Sequence, residues 1–202
     1  MKLIITRHGQ TRENVKGTIQ GQKGPGKLNK LGIRQAKKLA QRLKNEKIDI
    51  AYISDLERTE KTAREILKHH KNTKVFYPKE LREQSYGIYE GKHKDIFLKV
   101  RDKSGKKFHD FKPEGGESII EVQKRIKRFY YELINKHKNE TILIVTHGNV
   151  IASLLLHLLK KPLSNFEEFK AHHPQNAAIT TIEIDENKNH RVHLLNDTRH
   201  LE

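Results

Sequence analysis

Lys2-Leu3-Ile4-Ile5-Thr6-Arg7-His8-Gly9 and Thr141-Ile142-Leu143-Ile144-Val145-Thr146-His147-Gly148 decide how this chain folds. Each is a short apolar run rich in β-branched residues, which reads as a buried strand. Each leaves its strand through a histidine and then a glycine. Around them, strands alternate with amphipathic helices. Asn29 to Lys44 carries Ile33, Ala36, Ala40 and Leu43 on one helical face. Ile48 to Ser54 reads as a strand, Leu56 to His69 as a helix through Thr59, Ala63, Ile66 and Leu67, and Val75 to Tyr77 as a brief strand. Ser118, with Glu121 three residues on, makes a capping box before the apolar face Ile119, Val122, Ile126, Phe129 and Leu133. Val150 to Leu159 follows as a helix. Ala178 to Ile184 and Arg191 to Leu195 close the chain as two strands in a hairpin. This alternation predicts an α/β fold, a three-layer α/β/α sandwich with a mostly parallel central sheet.

The chain has 202 residues, a length that fits one domain over 1–202. Residues from about 84 to 116 hold Gly87, Gly91, Gly105, Pro113, Gly115 and Gly116 and are the least regular part, an excursion from that domain. Absence of cysteine excludes disulfides, thiolate metal sites and cysteine nucleophiles. No apolar run approaches the ~18 residues of a membrane span, and the N-terminal run is too short for a signal peptide. The expected compartment is the cytoplasm, where the sequon Asn139-Glu140-Thr141 stays idle. The net charge of +16 is spread over nearly every segment and interleaved with Glu and Asp. That pattern suits a solvated surface that attracts anions. A basic nucleic-acid-binding module is the non-enzyme alternative, and salt-dependent retention on DNA would be its mark.

Ligands of such sheets bind at the carboxyl ends of the strands. If the two His-Gly strands are neighbours, His8 and His147 face each other across one small site, with Arg7 beside them. Arg58 starts the helix after the next strand, near the same edge, and offers a planar fork of donors for phosphate oxygens. A surface arginine paired with Glu57 or Asp55 fits the same spacing. Glu83 is either a general acid or an exposed loop glutamate. The adjacent pairs His69-His70 and His172-His173 point to different sides of their elements and chelate poorly, so they read as surface residues. No metal and no cofactor are expected. Gly21 to Lys27 satisfies G-x-x-x-x-G-K, but Leu28 stands where Ser or Thr must hold magnesium, and no strong strand precedes Gly21.

Arg7-His8-Gly9-Gln10-Thr11 resembles the Arg-His-Gly-Glu/Gln-Thr signature of the histidine phosphatase superfamily, the phosphoglycerate mutase-like proteins. Asn14 with Gln20-Gly21, Ser54 to Thr59, Glu83 to Gly91, Pro113 to Ser118 and Thr146-His147-Gly148 fit the same family, in its order and over most of the chain. The resemblance implies that His8 is the nucleophile and becomes phosphohistidine. It implies that Arg7, Asn14, Arg58 and His147 hold the phosphoryl oxygens, with Gly148 beside them. Glu83 would protonate the leaving oxygen, and Gln20 and Gly21 would touch substrate. Where the family often has an Asp-x-Pro-Leu-like turn, this chain reads Gln22-Lys23-Gly24-Pro25-Gly26-Lys27-Leu28, so that loop's contacts are not carried over. The expected activity is metal-independent hydrolysis of small phosphomonoesters, with cofactor-dependent phosphoglycerate mutase as the alternative. The short passage from Gly91 to Pro113, without the mutases' added segment, favours the phosphatase branch. Oligomeric state is left open, a homodimer among the options.

Overall fold

The two His-Gly runs form strands β1 (Lys2–Arg7) and β4 (Thr141–Thr146). In the computed structural model they lie side by side and parallel, from Lys2 opposite Thr141 to Arg7 opposite Thr146. The structure describes residues 1–24 and 26–202. Pro25, and with it part of the Gln22–Leu28 loop and of the G-x-x-x-x-G-K segment, lies outside the described residues. With β2 (Ile50–Ile53), β3 (Lys74–Phe76), β5 (Ile179–Ile184) and β6 (His190–Asp197), the strands make one six-stranded sheet in the order β3-β2-β4-β1-β5-β6. The β5–β6 hairpin is present. β5 pairs antiparallel with both β1 and β6, so it alone runs against the other five strands.

Alternation along the strands splits the core into two faces. Leu3, Ile5, Ile142 and Ile144 pack with Val122, Ile126, Phe129, Val150 and Leu154 of α5 (Ile119–Lys136) and α6 (Gly148–Leu158). Ile4, Leu143 and Val145 pack with Leu39, Leu43, Ala63 and Ile66 of α2 (Lys30–Leu43) and α3 (Glu57–Leu67). This is the expected three-layer sandwich. Ile4 and Leu143 are at most 1 % exposed, and truncating either to alanine is expected to cost about 2–5 kcal/mol. The predicted capping box of Ser118 and Glu121 forms at the start of α5.

Three readings are corrected. The buried face of α2 is Gly32, Ala36, Leu39, Ala40 and Leu43, while Ile33 is 44 % exposed, because the helix turns its Gly32 edge toward Gly9. The excursion is not irregular throughout. It holds helix α4 (Lys94–Lys103), whose Phe97 joins Ile19, Tyr89 and Phe111 in a small separate core. His172 is buried, its Nδ1 2.8 Å from the Glu168 carbonyl at the end of α7 (Phe166–Ala171). A further short helix, α1 (Arg12–Lys16), is capped by Thr11 and Asn14. No helix of the described residues is long and apolar enough to cross a membrane.

Candidate active site

The β1–β4 pairing decides the geometry of the site. The ladder continues one step beyond the strands, where His8 N–H donates to the Thr146 carbonyl at 3.1 Å. The next residues, His8 and His147, therefore meet edge to face with ring centroids 5.3 Å apart. A cavity of about 300 Å³ opens over His8, lined by Arg7, His8, Glu13, Asn14, Gln20, Gly21, Arg58 and Glu83 among others.

His8 is 2 % exposed, and its Nδ1 sits 2.8 Å from the Gly9 carbonyl. A carbonyl only accepts, so Nδ1 carries the proton and Nε2 keeps its lone pair. Burial, then the charges of Arg58 and Arg7, hold the imidazole well below its ordinary pKa. At neutral pH the ring is uncharged. Gly9 is small for a packing reason: a Cβ there would lie 2.5 Å from the Gly32 carbonyl. Its N–H donates to Thr62 Oγ1 and is not offered to a ligand.

Arg58 is 2 % exposed and pairs with neither Glu57 nor Asp55. Those carboxylates bind Lys61 and Arg82. Its Nε donates to His147 Nδ1 at 3.2 Å and its Nη2 to the Gly21 carbonyl at 2.8 Å. Burial pushes its pKa down to about 10, partly opposed by Glu83, so it stays charged at pH 7. Arg7 Nη1 donates to the Pro174 carbonyl at 2.7 Å, while its Nε is buried and has no partner among the described residues. Among the described residues, neither guanidinium has a carboxylate in ion-pair contact. A buried Arg58 and a half-buried Arg7, neither in ion-pair contact with a carboxylate, share one cavity with Glu13 and Glu83 and make a place for an anion.

Asn14 Oδ1 accepts from Thr11 N–H and from Asn176 Nδ2, which leaves its own Nδ2 as the amide's free donor. Gln20 is 8 % exposed, and its Oε1 has no partner among the described residues. Gly21 has φ +53°, and a Cβ there would come within 2.1 Å of Glu90 Oε1. Glu90 in turn accepts from the N–H groups of Gln22, Lys23 and Tyr86, tying the Gly21 loop to the Glu83 segment. Glu83 lines the cavity, with Oε1 accepting from Gln84 N–H at 2.8 Å.

His147 is fully buried and stands behind Arg58. Its Nδ1 accepts from Arg58, so Nε2 carries the proton and donates to Ser54 Oγ at 2.8 Å. Burial, then Arg58, keeps this ring uncharged as well. Neither His147 nor Gly148 lines the cavity. Gly148 makes room for His173, whose ring a Cβ would meet at 2.2 Å. Glu13, Tyr86, Lys94 and Asn149 also line the cavity and carry no role in the sequence reading, and His173, read there as a surface residue, lines it too. Asn149 had a signal, since it directly follows the second His-Gly pair. Glu13 Oε2 is buried and has no partner among the described residues. Among the described residues no three His, Asp or Glu side chains gather as a metal would need.

Phosphoserine phosphatase 1 of Hydrogenobacter thermophilus is 34 % identical over 208 residues, covering 100 % of this chain and 94 % of that protein. A 2,3-bisphosphoglycerate-dependent phosphoglycerate mutase of Brucella anthropi is 34 % identical over 169 residues, 77 % of this chain and 80 % of that one. Phosphoserine phosphatase from Entamoeba histolytica, solved with 3-phosphoglyceric acid, superposes with a TM-score of 0.84 at 29 % identity, over 100 % and 99 % of the two chains. The description Histidine phosphatase superfamily (branch 1) matches residues 3–198. A neutral histidine at the end of β1, set among two unpaired guanidinium groups and matched along nearly its whole length in this way, makes the chain a member of branch 1 of the histidine phosphatase superfamily.

Proposed function

We propose that this chain, read as one domain over 1–202, hydrolyses small phosphomonoesters through a phosphohistidine at His8, without a metal ion. The observation that carries the reading is a pair of guanidinium groups without an ion-pair partner among the described residues, buried Arg58 and half-buried Arg7, around a neutral His8 in a cavity of about 300 Å³. Phosphoryl transfer needs positioning and charge neutralisation more than covalent chemistry from the protein. Two guanidinium groups and the Asn14 amide supply that neutralisation. His8 Nε2 attacks phosphorus with its lone pair while the ester P–O bond breaks. Glu83 gives its proton to the departing alkoxide. His8 keeps its Nδ1–H on the Gly9 carbonyl, which steadies the positive ring of the phosphorylated histidine. Water then attacks the phosphohistidine, Glu83 takes the water proton, the P–N bond breaks and phosphate leaves. His147 holds Arg58 by its Nε and so fixes the fork that grips the phosphoryl oxygens.

The proposed substrates are small phosphomonoesters of the size of phosphoserine or 3-phosphoglycerate, in keeping with a cavity of about 300 Å³. The reading requires no nucleic acid and no membrane, and it places the enzyme in the cytoplasm. Hydrolysis is preferred over mutase chemistry for two reasons. A phosphatase relative matches the chain from end to end, whereas the mutase matches 77 % of it. The stretch between Gly91 and Pro113 is short. The test supplies 3-phosphoglycerate with catalytic 2,3-bisphosphoglycerate in EDTA and follows 2-phosphoglycerate and free phosphate. Phosphate release that survives the chelator and outpaces isomerisation supports the reading. Faster isomerisation makes the enzyme a mutase, and loss of activity restored by a divalent cation removes metal independence.

A further inference from the structure

The segment that carries Glu83 is pinned almost atom by atom, and the pins converge on one ion pair that no step of the mechanism uses. Arg125, on α5, donates from Nε to Glu117 Oε1 at 2.8 Å and from Nη2 to Glu117 Oε2 at 3.1 Å. The same guanidinium donates from Nη1 to the Glu80 carbonyl and from Nη2 to the Glu83 carbonyl at 3.1 Å. Two of its four hydrogen bonds thus hold the two ends of the turn that leads to Glu83. Glu117 grips the other side. Its Oε2 accepts from Ser85 N–H at 2.9 Å, its N–H donates to the Ser85 carbonyl at 2.8 Å, and its carbonyl accepts from Gln84 Nε2 at 2.7 Å. Gln22, next to Gly21, closes the knot, donating from Nε2 to the Glu83 carbonyl at 2.9 Å and to Glu117 Oε2 at 3.2 Å.

We infer that Arg125 and Glu117 are positioning residues for the general acid, a buckle that fixes Glu83 over the leaving oxygen and couples it to the Gly21 loop. This rests on the reading of Glu83 as proton donor. The physical case is one of precision. A proton must reach the leaving oxygen from a donor at about 2.6–3.2 Å, and an error of about 1 Å in placement costs roughly 100-fold in rate. Among the described residues the Glu83 side chain has one hydrogen bond of its own, to the neighbouring Gln84 N–H. Its carboxyl therefore goes where its backbone goes, and Arg125 is the charged group that holds that backbone. A lysine offers a single point charge and cannot reach Glu117, Glu80 and Glu83 together. An ion pair kept only for stability would leave the chemistry of different leaving groups untouched.

The test compares an alkyl phosphate, whose alkoxide needs a proton, with para-nitrophenyl phosphate, whose phenolate does not. Arg125→Met and Glu117→Gln are each measured alone and with Glu83→Gln. The expected result for each single variant is a fall in kcat of at least ~10-fold on the alkyl phosphate and less than ~3-fold on para-nitrophenyl phosphate. Added to Glu83→Gln, neither substitution should lower alkyl phosphate turnover further, since the group it positions is already gone. Arg125→Lys should recover only part of the loss. Glu117→Gln keeps the shape of the acceptor and serves if Arg125→Met does not fold. Equal losses on both substrates, or losses that multiply with that of Glu83→Gln, overturn the inference. A Glu83→Gln variant that does not itself discriminate between the substrates removes the general-acid reading, and the buckle's role with it.

Discussion

Arg58→Met separates what this arginine does for the reaction from what it does for the fold. The side chain is 2 % exposed and hydrogen bonds to His147 Nδ1 and the Gly21 carbonyl, neither of them charged. Burial lowers its pKa to about 10. At about 1.4 kcal/mol per pH unit, the empty enzyme holds this charge at a cost of roughly 3 kcal/mol relative to the unfolded chain. The sign follows from a base with a lowered folded-state pKa. The cost is fully present at pH 7 and is relieved only as pH climbs past about 10. Methionine removes that cost but leaves two buried acceptors unpaired, at about 1–3 kcal/mol each. The two effects offset to within about 3 kcal/mol, so the melting temperature should fall by no more than about 10 °C, at about 2–4 °C per kcal/mol for a chain of this size. Catalysis has no such compensation. Loss of one preformed donor to the transferring group is expected to cost about 100- to 1000-fold in kcat. Vanadate at a hundred times its Kd should stabilise the native enzyme by about 2.7 kcal/mol, and Arg58→Met should lose most of that gain. Scanning fluorimetry with and without vanadate, beside steady-state kinetics on an alkyl phosphate, reads both quantities. A variant that melts more than about 10 °C lower, or that keeps a third of the native kcat, would make Arg58 a structural residue and refute the reasoning.

Glu83→Gln should slow alkyl phosphates by at least ~100-fold and para-nitrophenyl phosphate by far less, within the general acid–base range; equal losses would remove Glu83 from that role. Because burial and the two guanidinium groups disfavour the charged ring, the His8 resonance in an NMR titration should shift only well below the ordinary imidazole range, and Arg58→Met should raise its pKa. A native titration midpoint near the ordinary value of about 6.5 would contradict the electrostatics of the site. Gly21→Ala meets Glu90 at 2.1 Å and a φ of +53°, so it should destabilise by about 1–3 kcal/mol and lower kcat/KM by loosening the Gly21 carbonyl from Arg58. Unchanged melting and activity would show that the loop tolerates a side chain there.

The fold was legible wherever burial dictated residue choice. β1 and β4 are apolar on both faces because helices cover both, and continuous β-branched runs announce that. α4 and α7 were not legible. α4 buries one large side chain, Phe97, in a small core whose other members, Ile19, Tyr89 and Phe111, are distant in sequence. Its remaining positions are dominated by charge. Ile33 misled because it sits at helical spacing from Ala36 and Ala40, whereas the backbone contact of Gly32 with Gly9 sets the rotation of α2. In the site, the strand ends announced His8 and His147, but the depth of Arg58 did not show. Its neighbours Glu57, Glu60 and Lys61 read as a solvated helix, and burial is imposed by the Gly21 loop and His147, which arrive from elsewhere in the chain. The grip of Arg125 on Glu83 was equally invisible, since three separate segments meet only in the folded chain.

The central claim is that the phosphoryl group passes through His8. Native enzyme mixed with a radiolabelled phosphomonoester, quenched within its first turnover and digested under basic conditions, should yield an acid-labile phosphate on the peptide that contains His8. The same experiment on His8→Ala, with its fold verified by melting, should yield no label and no turnover. Label on a serine, threonine or aspartate, or appreciable hydrolysis by His8→Ala, would contradict the account.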